Sequence, residues 1–131
     1  MMRLFCAATI ATAMIAPAMA AMTVPTLPTT AKKLTGPDIT TLLDGSKVTW
    51  TNFALDMTGT GAFDFKKKTE TGTWSAGKKS GKFTSAISVK GDTFCYKTGN
   101  SKEVCNSVYT EGADIYNVNA QGVVESTDQK Q

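Results

Sequence analysis

From Lys47 onward the apolar residues recur at every second position, and this period constrains the fold more than any other property of the chain. Phe53, Leu55 and Met57 alternate with polar or small residues, as do Phe63 and Phe65. Phe83, Ser85, Ile87 and Val89 continue the period, and Phe94 and Tyr96 follow. Residues two apart lie on one face of a strand, so the pattern describes strands with one face buried. Frequent threonine and aromatic residues suit the same state. Turn signals interrupt the pattern at Asp44-Gly45, Thr58 to Gly61, Gly77 to Gly81, Gly91-Asp92, Gly99-Asn100, Glu111-Gly112 and Gln121-Gly122. Strands punctuated in this way predict an antiparallel meander of about seven or eight strands. Ahead of it, Leu34, Ile39, Leu42 and Leu43 fall near helical spacing, Pro37 suits a first helical turn and Gly45 a stop. The expected fold is mainly β (α+β): a strongly curved sheet or small barrel with one short N-terminal helix over residues 36–44.

The N-terminus predicts the compartment. Arg3 precedes an apolar run from Leu4 to Ile15, too short to span a bilayer, and Pro17 and Ala18-Met19-Ala20 complete the pattern of a cleaved signal peptide over residues 1–20. Cys6 lies at the start of the run, after Phe5, and is badly placed for lipidation. Cleavage before Ala21 leaves 131 − 20 = 111 residues, the size of one small domain, with no later stretch apolar enough to cross a membrane. The expected organisation is a flexible Pro/Thr-rich lead-in over 21–33, one β-rich domain over 34–126 and a polar tail over 127–131. The expected location is the periplasm or the medium.

Export changes how the cysteines are read. Once Cys6 leaves with the signal, Cys95 and Cys105 remain, and an even, minimal count in an exported domain predicts a disulfide. The two positions are symmetric about Asn100. A tight turn at Gly99-Asn100-Ser101 would set them opposite each other on a hairpin, with Phe94, Tyr96, Val104 and Val108 sharing the other face.

Charge and composition exclude more than they assign. The mature chain has 13 lysines against 11 acidic residues and no arginine. Two-pronged recognition of phosphate or guanine is therefore missing, and nucleic acid is not an expected partner. Histidine is absent, which removes the usual base near neutral pH and the commonest metal ligand, so neither catalysis, metal nor cofactor is expected. The carboxylates, Glu70 among them, read as scattered over turns and strand ends. Gly72 to Lys78 approaches a phosphate-binding loop, but Lys79 stands where a hydroxyl is needed, and a hairpin tip is the sounder reading. Asn117 to Gly122 has the spacing of a calcium loop with amides in place of carboxylates, and reads as a strand ending in a turn. Lysines gather from Lys66 to Lys90. Pairing of 62–76 with 82–90 would crowd them at one end of the sheet, where they would meet an anionic partner or merely protect a sheet edge.

The order of short motifs resembles a family of small uncharacterised secreted proteins of alphaproteobacteria. It begins with Leu34-Thr35, Asp38-Ile39 and Leu42-Leu43 before Gly45. Gly72-Thr73-Trp74 follows, then Cys95 and Cys105, then Val108, Gly112, Tyr116 and Gly122. The resemblance covers residues 34–124 and implies an exported β-rich domain with one disulfide and no known activity. The expected function is that of a non-enzymatic domain binding a protein or an anionic envelope component, with Trp74, Lys78, Lys79 and Lys82 as candidate contacts. The rival expectation is a periplasmic inhibitor of a hydrolase of the protease or lysozyme type, inserting the Pro-Thr lead-in into its target.

Overall fold

Strands with one apolar face need a partner layer, and here the sheet supplies its own by closing. The computed structural model describes residues 22–131; the signal segment, its cleavage point before Ala21 and Cys6 lie outside the described residues. The elements run β1 (Lys32–Lys33), α1 (Gly36–Leu43), β2 (Lys47–Asn52), β3 (Met57–Asp64), β4 (Thr69–Ala76), β5 (Lys79–Lys90), β6 (Thr93–Thr98), β7 (Val104–Glu111), β8 (Asp114–Val118) and β9 (Val124–Lys130). Strands β2 to β9 each pair with the next, all antiparallel, and β9 returns to β2 through Val48↔Lys130 to Asn52↔Ser126. The result is a closed up-and-down barrel of eight strands, and closure leaves no long free edge. Strand β1 adds outside the ring, pairing Lys32↔Thr110 and Lys33↔Tyr109 on the part of β7 that extends past β6.

Hairpin alternation puts the β3–β4, β5–β6 and β7–β8 turns at one end of the barrel and the β2–β3, β4–β5, β6–β7 and β8–β9 turns at the other. The first end is plugged. Thr35 caps α1, its hydroxyl accepting from the Asp38 N–H while the Asp38 carboxylate accepts from the Thr35 N–H, with Pro37 in the first turn. The Gly36 N–H donates to Asp92 in the β5–β6 turn (2.8 Å), and Asp44 accepts from the Phe65 N–H in the β3–β4 turn (3.1 Å). Held in this way, the helix turns Ile39 and Leu43 into the barrel, where they are fully buried against Val48, Phe63, Ile87 and Val108. Phe94 meets the Phe63 ring edge-on at 5.8 Å.

The helix spans 36–43 as expected, and the cysteines pair as expected. Cys95 and Cys105 are directly opposite on β6 and β7, with Cα atoms 4.0 Å apart, joined by a disulfide on the outer face. Replacing both by alanine is expected to cost roughly 2.5–3 kcal/mol, the loop-closure entropy of so short a ring, and to lower the melting temperature by on the order of 10 °C. Paired thermal and urea melts of wild type and variant check this. An unchanged midpoint would mean that the barrel alone holds the hairpin register.

Several expectations are corrected. Thr58 to Gly61 is no turn: it lies inside β3, because Gly59 and Gly61 serve to make room for large side chains in the barrel. The turn comes earlier, over 53–56, so Phe53 and Leu55 stand outside the strand, with the Leu55 N–H bonded to the Asn52 side chain. Gly81 likewise lies within β5, and the β4–β5 turn is reduced to Gly77-Lys78. The hairpin pairs 69–76 with 79–86. The tail at 127–131 proves to be mostly strand, since β9 supplies the closing pairs and buries Asp128. The lead-in ends in β1. Before it, Met22, Pro25, Leu27 and Pro28 are half-buried, and the segment is tied to the barrel by Met22 to Asp56 and Thr30 to Glu111.

Candidate functional site

Inside a closed barrel every second residue of every strand shares one space. On β4 the sequence Thr69-Glu70-Thr71-Gly72-Thr73-Trp74-Ser75-Ala76 splits cleanly: hydroxyl residues face out, and Glu70, Gly72, Trp74 and Ala76 face in. Trp50, Phe83, Tyr96 and Asp128 point into the same lumen from β2, β5, β6 and β9. On β4 the outward face is wholly hydroxylic and the large ring of Trp74 is turned inward, the reverse of the alternation of a lipid-facing strand.

Glycines shape the lumen. Gly59 lies opposite both Trp50 and Trp74, and a Cβ there would collide with the Trp50 ring. A Cβ on Gly61 would collide with the Glu70 carboxylate, and one on Gly81 would stand 2.8 Å from Nε1 of Trp74. The large side chains therefore lie flat across small neighbours and do not fill the centre. Trp50 donates from Nε1 to the Thr60 carbonyl (2.9 Å) and meets Phe83 edge-on at 6.0 Å, which fixes its ring.

Above the plug this leaves a cavity of about 640 Å³ that opens between the β2–β3, β4–β5 and β6–β7 turns. Its wall is aromatic: Trp50, Trp74, Phe83, Phe94 and Tyr96. Its depth carries polar groups: Glu70, Ser85, Thr98, Asn117, Ser126 and Asp128. Ser85 and Thr98 bond to each other (2.6 Å), and Asn117 donates from Nδ2 to Ser126 (3.0 Å) and to Oδ2 of Asp128 (3.1 Å). Glu70 has no hydrogen-bond partner among the described residues. Burial, reinforced by the Asp128 carboxylate, pushes it up to about 8. Burial also raises Asp128 to about 6 against the opposing bond from Asn117. Tyr96 is pushed up to about 12 by burial and by Glu125, Glu70 and Asp128 in turn. Near pH 7 the lumen therefore holds Asp128 as its anion and Glu70 mostly protonated.

No protein-family model matches the chain, and comparison with curated proteins and with solved structures found no match. The site thus rests on its own geometry.

Of the candidate contacts, Trp74 and Lys82 line the cavity, while Lys78 and Lys79 stand exposed at the β4–β5 turn beside its mouth. Trp74 is within β4 and faces inward, not at a hairpin tip as expected. The lysine cluster does not form. Lys66, Lys67 and Lys68 occupy the β3–β4 turn at the plugged end, and Lys78, Lys79 and Lys82 lie at the open end, because successive turns of a meander alternate ends. Edge protection does not account for them either, since β3, β4 and β5 each have a neighbour on both sides. Cys95, Glu103 and Cys105 gather their ligand atoms on the outer face, but the sulfurs are spent in the disulfide and Glu103 pairs with Lys90. Sequence reasoning missed Glu70 and Asp128. The signal for Glu70 was its parity with Gly72 and Trp74. Asp128 gave none, because nothing local marks β9 as a closing strand.

Proposed function

We propose that this chain is an exported binding protein that holds a small molecule inside its barrel. One observation carries the reading: a barrel stoppered by its own helix encloses an aromatic-lined cavity of about 640 Å³, open at one end. That volume lies within the range of small-ligand sites, and an apolar wall with few convergent polar groups is their usual make-up. A barrel of eight strands can either fill its interior with side chains or leave room for one small ligand. Here the glycines at 59, 61 and 81 favour the second. The disulfide on the outer face and the signal-like N-terminus support an extracytoplasmic place of work. Among the described residues no helix is long and apolar enough to cross a membrane. The expectation of a protein or envelope partner narrows to a ligand of small-molecule size. Binding is favoured over catalysis because the chain has no histidine and both described cysteines are paired.

A neutral environment-sensitive dye, N-phenyl-1-naphthylamine, tests the reading. It is expected to bind saturably with one site per chain, quenching Trp50 and Trp74 by energy transfer. Met57→Trp, which puts a larger ring at the mouth, is expected to weaken binding at least tenfold. Binding that does not saturate, or that ignores Met57→Trp, would place the dye elsewhere and remove the reading.

A further inference from the structure

The cavity is unusual in what it leaves unpaired. Asp128 is 8 % exposed and lines the lumen, and only its Oδ2 has a partner; Oδ1 has none among the described residues. Glu70, on the strand three places away in the ring from β9, lines the same space with neither oxygen bonded. Among the described residues no cation inside the barrel balances them: Lys82 and Lys102 line the cavity at its rim, and neither offsets the effect of burial on Glu70. The unbonded oxygens of Asp128 and Glu70 open on the lumen, where a charge partly withdrawn from bulk water is favoured by a positive partner. Above them stand the faces and edges of Trp50, Trp74, Phe83 and Tyr96, whose π-systems attract a cation that has lost its water.

We propose that the lumen is a site for an organic cation, a ligand with an ammonium or quaternary ammonium head held between Glu70 and Asp128 and an apolar body against the tryptophans. The inference rests on the small-molecule reading above and specifies its ligand class. Aromatic rings and carboxylates are the two groups that recognise such a head without a rigid hydrogen-bond pattern, and both converge here on one lumen. An anionic ligand would meet the Asp128 carboxylate as a like charge and would keep Glu70 protonated. A neutral one would leave both carboxyl groups as they are. A cation supplies the missing charge and converts Glu70 to its anion, so binding releases a proton. Of the other charged and titratable groups near the site, Glu125 and the rim lysines Lys82 and Lys102 among them, Asp128 is raised by burial to about 6 and Tyr96 to about 12.

The closing experiment compares two probes of one shape, benzyltrimethylammonium and its carbon isostere neopentylbenzene, by tryptophan fluorescence titration. At pH 8.5 the cation is expected to bind at least tenfold tighter than the isostere. Its affinity is expected to fall at least tenfold between pH 8.5 and 5.5 as the carboxylates protonate, although the probe itself does not titrate. Glu70→Gln with Asp128→Asn is expected to abolish both the preference and the pH dependence while leaving neopentylbenzene binding within about twofold. If the isostere binds as tightly as the cation, or if the double variant keeps the preference, the cation inference is wrong and the cavity reading stands. If neither probe nor the neutral dye binds, the cavity reading falls and the inference with it.

Discussion

Glu70→Gln is expected to make the protein more stable at pH 8 and to flatten its response to pH. The folded protein holds the Glu70 proton up to about pH 8, whereas the unfolded chain releases it near 4.5. Between those values the native state binds more protons than the unfolded state, so stability falls as pH rises and levels off above about 8. Displacement over that interval corresponds to about 4–5 kcal/mol, a large part of the stability of a small domain. Asp128 acts in the same direction over a lower window, from 3.8 to about 6. Wild type is therefore expected to be most stable near pH 4 and to lose stability through pH 8. Glutamine keeps the shape of the side chain and cannot ionise. The variant should match wild type near pH 4.5, exceed it by several kcal/mol at pH 8, and retain only the Asp128 slope below pH 6. Urea midpoints measured from pH 4 to 9 decide this. A variant no more stable than wild type at pH 8 would show that water or a counter-ion relieves Glu70 in solution.

The second large effect concerns the plug. Leu43→Ala is expected to cost about 3–4 kcal/mol, and the adjacent Leu42→Ala about 1 kcal/mol or less. An eight-residue helix has almost no stability of its own in water. Helix α1 exists because Ile39 and Leu43, 0 % and 1 % exposed, fill the end of the barrel, with the capping box and the bonds from the Gly36 N–H to Asp92 and from the Phe65 N–H to Asp44 setting its angle. Leu43 lies at the centre of that contact, and the eight strands around it cannot shrink to close a hole, so most of the cavity would persist. Leu42 is only half-buried, so its truncation removes a rim contact. Loss of the plug should also weaken dye binding, because the lumen would then open at both ends. Equal losses at 42 and 43 would mean that the helix lies on the barrel without sealing it.

Elements set by near neighbours in the chain part from those set by distant ones. Period-two runs on β5 and β6, the helix from Thr35 to Leu43 and the Cys95–Cys105 pair were legible because each depends on neighbours close in the chain: a pleat, a cap, a turn of few residues. The misread segments are those in which a residue answers to a distant one. Gly59, Gly61 and Gly81 look like turn residues when taken alone. Only the rings and carboxylate lying across them show that they are strand positions emptied to admit Trp50, Glu70 and Trp74. The lysines between 66 and 90 look like one cluster along the chain and lie at both ends of the barrel in space.

The sequence by itself determined that the chain would form antiparallel strands with one apolar face, that a short capped helix would precede them, and that two cysteines would lock a hairpin. Local backbone sterics, side-chain alternation and turn chemistry are enough for that. Only the tertiary structure decided that β9 returns to β2. Closure depends on strand twist and stagger accumulated over all eight strands, and no short stretch records it. That single pairing turned a sheet face into an enclosed lumen. It converted Asp128 from a residue of a polar tail into a buried carboxylate in the same lumen as Glu70, where burial raises both carboxyl groups and the Asp128 charge raises Glu70 further.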